Sequence, residues 1–422
     1  MDPIVLKRFA LIAVGVFSSL GIVIINHPWI RRRMAKWDRP LQVVFYVATR
    51  PLLFVLLYVV IQRGMVWSDL REVYPPQGDA VLEGGVPGRD FLTQYSPFFP
   101  YLLALTYLPF PEDFYASPVI VFMLADLACL LMLRSIAKSF YGAEKTESAT
   151  WVFILCPLTW IVAVHYGQDE MLTSFFVTSC IYLVHQNKIS AAGLAMGIGV
   201  MLTKYTTAIG LLPYLFANKE GFKLGHAVAT LAPIVLGATL LEIMGASILK
   251  LINYSRDFTG IVGGNSISAA VIELLSIEHT SRLITIVTLI ALAASSLGLW
   301  ASKRRGLPFH ETVAVTFLVF LLTTFCSVCI YRTWIVVPIA LVAVSRGKYW
   351  LFAMWSLLSA IVPVSDKAQP IIVTLPVIGD TNVLQLTLSL WGLASIVTDA
   401  LWLPAIFRKN TQINVAAAEI SG

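Results

Sequence analysis

Asp69 opens a polar stretch, residues 63–113, inside a sequence that is otherwise lipid-soluble. The stretch carries Ser68-Asp69, Tyr74, Gly84-Gly85, Pro87, Arg89-Asp90-Phe91 and Tyr95-Ser96-Pro97. A carboxylate at the membrane–water boundary can take a proton from a polar acceptor while a lipid-borne partner lies beside it in the bilayer. Partial desolvation raises its proton affinity, which suits a general base. A lone Asp there would more readily be a solvated loop acid, but the surrounding pattern favours the base. Asp90 either pairs with Arg89 to hold the loop or contacts a ligand's hydroxyls. The aromatic run 98–110, broken by Pro100 and Pro109, suits a segment lying in the interface.

Three further positions carry charge where apolar sequence is expected. His165-Tyr166-Gly167-Gln168-Asp169-Glu170 separates two apolar runs, and ionisable residues at membrane depth usually mark a site. Lys204 stands within GIGVMLTKYTTAIG. It either snorkels from a helix end or compensates a phosphate at the interface, since a buried unpaired ammonium is costly. Arg332, in Tyr331-Arg332-Thr333-Trp334, poses the same choice with a guanidinium fork suited to phosphate oxygens. A second loop, 246–282, holds Arg256-Asp257, Glu273 and a Gly260-x-x-Gly263-Gly264 run, and is placed to cover the site or bind an acceptor.

These residues must be held by membrane spans. Of 422 residues, 58% are hydrophobic and 13% charged, with a mean hydropathy of +0.79. Soluble domains carry about 25% charged residues, so the expectation is a single all-α polytopic domain, 1–422, in the lipid bilayer. A net charge of +6 without a basic, aromatic-rich soluble patch argues against nucleic acid. The five cysteines all fall in apolar stretches and form no disulfide framework, and Cys326-x-x-Cys329 lacks a histidine partner for a metal. Residues 9–26 read as a retained anchor, because Arg31-Arg32-Arg33 follow the apolar run rather than precede it.

Spans of about 20 residues fit 9–26, 43–62, 114–133, 149–165, 171–186, 226–245, 283–301, 348–364 and 383–406. Regions 189–217 and 311–345 would each exceed about 40 Å as one helix, too long for a single crossing. Each reads as two helices meeting near Lys204 or Arg332. Basic segments 27–42, 134–148, 218–225, 302–310 and 407–422 then share the cytoplasmic side, with about 13 spans. Loops 63–113 and 246–282, residues 165–170, Lys204 and Arg332 all fall on the opposite face.

This order resembles the GT-C superfamily of membrane glycosyltransferases, most closely glycosyltransferase family 87, which includes polyprenyl-phosphomannose-dependent mannosyltransferases. The loop pattern is matched by Asp69, Tyr74, Gly85, Pro87, Arg89-Asp90-Phe91, Tyr95 and Pro97, with Gly88 where an aromatic is usual. Gly167-Gln168-Asp169 matches the family's Gly-Gln-acid turn, and Lys204 with Pro213 its later Lys-then-Pro pattern. The resemblance implies a GT-C-like bundle of about 11–13 transmembrane helices with interfacial helices in the first outer loop. It implies a polyprenyl-phosphate-linked sugar donor, a glycolipid or glycan acceptor, and Asp69 as catalytic base. Lys204, Arg332 and His165 become the expected donor-phosphate contacts. Tyr74, Arg89, Asp90, Tyr95, Gln168 and Asp169 become the expected sugar and acceptor contacts. No cofactor is expected, and metal dependence stays open at Asp169 and Glu170. The expected location is the plasma (inner) membrane, with the site on its non-cytoplasmic side. The alternative is a transporter or lipid flippase using the same charges, with Asp126, as an intramembrane path.

Overall fold

A computed structural model describes residues 3–60, 69–110, 114–218, 222–262, 266–275, 277, 280–324, 327, 329–360 and 381–408. No strand forms among them, and one isolated bridge joins Pro87 to Phe91.

The first two helices, α1 (Pro3–Ile25) and α2 (Pro28–Met34), meet at an 88° bend, where Pro28 cannot continue the hydrogen-bond ladder. Helix α3 (Asp38–Val47) runs on through wide turns at Ala48–Leu52 and Val55–Val60 as one apolar span. Pro51 lacks an amide donor, and the first wide turn absorbs that loss. The first polar loop folds as a turn at Asp69–Val73, α4 (Tyr74–Leu82) and α5 (Phe99–Tyr107). Prolines in the opening turns of α4 and α5 fix where each short helix begins.

Next come α6 (Ser117–Ile154), α7 (Pro157–Trp160), a turn at Ile161–His165, α8 (Glu170–His185), α9 (Ile189–Leu202) and α10 (Leu211–Ala217). They are followed by α11 (Leu224–Ile243), α12 (Ile248–Val262), α13 (Ile267–Leu274) and α14 (Ser281–Arg304). The chain closes with α15 (Phe309–Thr323), α16 (Val336–Arg346), α17 (Tyr349–Ala360) and α18 (Thr381–Phe407).

Side-chain pairs show where the chain doubles back. Arg134 and Glu147, both in α6, form an ion pair at 3.0 Å, although 13 residues of straight helix would separate them by about 20 Å. The reversal falls at Gly142, whose backbone is non-helical. Residues 134–148, expected as a loop, are therefore helical on both sides of that turn. The 189–217 region breaks after Thr203, and Tyr214 of α10 donates to the Ile189 carbonyl at 3.0 Å, so α9 and α10 form a hairpin. Glu311 and Arg346, 3.0 Å apart, close the α15–α16 hairpin in the same way.

The basic segments are tied together. Arg134 reaches Gln42, Tyr141 meets His310, Lys303 donates to the Phe216 carbonyl and Arg305 to that of Phe407. All of these segments lie at one end of the bundle. Four helices are long and apolar enough to cross a membrane among the described residues, with the bent α1–α2 pair a fifth and six shorter apolar helices beside them. Large apolar side chains lie exposed at helical spacing, as with Ile286, Leu289, Ile290 and Leu297 of α14, which is a lipid-facing surface. The protein is an integral membrane protein. Of the segment 365–382, expected on the same face as loop 63–113, residues 365–380 lie outside the described residues, as does the side chain of Glu273.

Candidate active site

The site begins with backbone contacts at the end of α9. Its last carbonyls have no intrahelical partner, and the strand of loop before α5 supplies them. Ser96 N donates to Thr203 O at 3.1 Å, Phe98 N to Met201 O at 3.1 Å, and Ser96 Oγ to Val200 O at 2.6 Å. Tyr95 is thereby held beside Lys204, which follows in an extended conformation.

A second contact sets Asp69. Gly167 has φ +58°, a conformation that penalises any Cβ, and a Cβ there would lie 2.2 Å from Leu70 Cδ1. Leu70 is fully buried against this bare backbone, which places the neighbouring Asp69 beside Gln168, Asp169 and Glu170. Glycine at 167 thus serves both turn and approach.

Asp69 is half-buried, and its Oδ2 accepts the Tyr95 hydroxyl at 3.2 Å. Tyr74 donates to Asp169 Oδ1 at 3.3 Å, and the two tyrosine rings pack edge to face at 5.7 Å. Lys204 Nζ lies 3.1 Å from Asp169 Oδ1 and is hydrogen-bonded to Glu170 Oε1. The Tyr331 and Tyr95 rings flank that ammonium at 5.0 and 5.7 Å. Asp169 Oδ2 and Glu170 Oε2 are buried without a hydrogen-bond partner among the described residues.

Burial pushes the Asp69 carboxyl above its ordinary range. Lys204 opposes this, Glu170 reinforces it, and Gln168 and Tyr95 lower it by hydrogen bonding. Burial also raises Asp169, against the pull of Lys204. Among the described residues, three carboxylates around one ammonium leave surplus negative charge, so Asp69 is disposed to accept a proton.

The other expected residues separate. Arg89 and Asp90 form an exposed ion pair at 2.7 Å, in which Asp90 accepts the Val86 amide and Arg89 donates to the Met244 carbonyl. They tie the first loop to the end of α11 and stand apart from the Asp69 contacts. Gly88, at φ +85°, presses against α12, where a Cβ would meet Leu251 and the Ser247 carbonyl at 3.1 Å. The helix thus occupies the space an aromatic side chain would need. His165 is buried, and its Nε2 has no partner among the described residues.

Arg332 corrects the expectation of a second phosphate-binding cation. Its side chain is fully buried and bonded to Asp399 of α18 and to Ser327, and Trp355 Nε1 donates to the other Asp399 oxygen at 2.8 Å. The guanidinium is spent on the fold, while its neighbour Tyr331 reaches Lys204. From the sequence Tyr331 had no expected role and Glu170 only that of a possible metal ligand, although each adjoins a residue expected in the site.

The sequence model of glycosyltransferase family 87 matches residues 91–328, over half of the chain, leaving Asp69 just upstream and Arg332 just downstream. No curated protein matches in sequence. A solved structure, ArnT from Cupriavidus metallidurans in the apo state, is similar with a TM-score of 0.51 at 14% identity, covering 86% of this chain and 74% of that chain. That likeness speaks to the fold alone. With the helical membrane bundle and the acidic site at one end, the chain belongs to glycosyltransferase family 87 and is a membrane glycosyltransferase of the GT-C type.

Proposed function

We propose that the protein transfers a hexose, mannose by family resemblance, from a polyprenyl phosphate to a glycolipid or glycan acceptor on the non-cytoplasmic face. Asp69 takes the proton from an acceptor hydroxyl as that oxygen attacks the anomeric carbon. The bond from that carbon to the phosphate oxygen breaks, its electron pair leaves with the polyprenyl phosphate, and the configuration inverts. The observation that carries this reading is the Asp69 carboxylate, half-buried, raised in proton affinity and hydrogen-bonded to Tyr95. The tethering of the basic segments at the far end of the bundle supports the assignment of faces.

With Arg332 committed to Asp399, the phosphate side falls to Lys204 and to His165 Nε2, which has no partner among the described residues. In a site of low dielectric, fixed donors act strongly on a departing anion. Tyr74, Gln168 and Asp169 line the sugar and acceptor side. The departing phosphate, a monoanion in the donor, gains one further negative charge that the Lys204 ammonium can offset, so the step as written calls on no metal, and protein treated with chelator is expected to keep its turnover.

The test is to assay purified, reconstituted protein with a panel of polyprenyl-phosphate hexoses and nucleotide sugars. Transfer from a polyprenyl-phosphate donor, with mannose preferred, is the expected result. Transfer from nucleotide sugars alone would overturn the donor assignment.

A further inference from the structure

Among the described residues Lys204 is the cation whose charge bears on Asp69, yet its bonds go elsewhere. Its ammonium is hydrogen-bonded to Glu170 and ion-paired with Asp169 at 3.1 Å, while Asp69 receives the neutral Tyr95 hydroxyl. Glu170 is fully buried at the first turn of α8 and spends one oxygen on Lys204. A carboxylate there is costly to bury, and the fold holds two in succession beside a third.

We propose that Glu170 is a positioning residue for sugar transfer: it holds the Lys204 ammonium on the Asp169 side of the cluster, leaving Asp69 a carboxylate not committed to an ion pair. The inference rests on Asp69 being the base. An Asp69 paired directly with Lys204 would be a weaker proton acceptor, because a nearby cation favours the charged carboxylate. Glu170 therefore acts twice, by drawing the cation away and by adding its own negative charge.

The titratable groups that bear on Asp69 come from every element packed there. They are Tyr74 of α4, Tyr95 of the loop before α5, Asp169 and Glu170 at the start of α8, and Lys204 after α9. Tyr331, from the turn Cys329–Ile335, flanks Lys204. Across these groups, Glu170 and Lys204 push Asp69 in opposite directions.

The experiment is the pH profile of kcat/KM for wild type, Glu170→Gln and Lys204→Met, using the polyprenyl-phosphate hexose with the highest turnover. A base is active above its pKa, so activity falls on the acid side. Glu170→Gln is expected to move that acid limb to lower pH and to cut the plateau roughly tenfold, part of the ~10²–10⁴ that general-base catalysis supplies. Lys204→Met is expected to move the limb to higher pH, and Glu170→Asp to return it toward wild type. If Glu170→Gln does not fold, Asp169→Asn is the substitute and is expected to move the limb downward. An unmoved limb in a folded Glu170→Gln or Asp169→Asn, or limbs of Glu170→Gln and Lys204→Met moving the same way, overturns the proposal. Asp69→Asn with normal turnover would instead remove the base itself, so the two failures are distinct.

Discussion

Arg332 and Lys204 are the two cations that interrupt the long apolar regions, and the fold treats them oppositely. Among the described residues Arg332 faces one carboxylate, Asp399, whose second oxygen is taken by Trp355, and both charged side chains are fully buried. Lys204 faces Asp169 and Glu170 with Asp69 nearby, keeps some exposure, and leaves two carboxylate oxygens without partners among the described residues. Among the described residues the first pair matches one cation to one anion and leaves neither Asp399 oxygen free, as a structural tie should. The other is unbalanced and keeps unspent acceptors, as a site that must take up a proton should. Charge count and unused lone pairs separate the two where sequence position did not.

Substitutions can break this contrast. Arg332→Met strands Asp399 in the interior and should cost about 3–5 kcal/mol, read as a fall in Tm in detergent. Preserved Tm with weakened donor binding would return Arg332 to the site. Gly167→Ala drives a methyl into Leu70 and displaces Asp69. A misplacement of about 1 Å at a reacting group costs on the order of 10²-fold, so kcat should fall by that order with donor affinity nearly unchanged. Tyr95→Phe removes a hydrogen bond that holds the Asp69 proton affinity down and is worth about 1 kcal/mol, so the acid limb of kcat/KM should move to higher pH. Arg89→Ala opens an exposed pair and should leave kcat within about twofold; a larger loss would place the Arg89–Asp90 pair on the sugar.

The hairpins at 189–217 and 311–345 were legible because length, a lone interior cation and the placement of basic loops all demand a reversal. Asp69, Tyr74, Tyr95, Gln168, Asp169 and Lys204 were legible as unusual residues, and the fold brings them together. The partner of Arg332 was not legible. Asp399 lies 67 residues downstream, and nothing local in the sequence tells a cation's eventual anion. Gly88 looked like a defect in a motif until the approach of α12 gave it a reason. The reversal between spans 114–133 and 149–165 was legible from the basic residues between them, but its position at Gly142 was not, since the helix-forming residues around it carry no proline to mark a turn.

Asp69 is a base only if its carboxylate removes the acceptor's proton. The direct measurement is single-turnover sugar transfer by Asp69→Asn, set beside binding of the same polyprenyl-phosphate donor. Donor binding at the wild-type level with transfer reduced by about 10²-fold or more is the predicted result. Transfer near the wild-type rate in a correctly folded Asp69→Asn protein would contradict it.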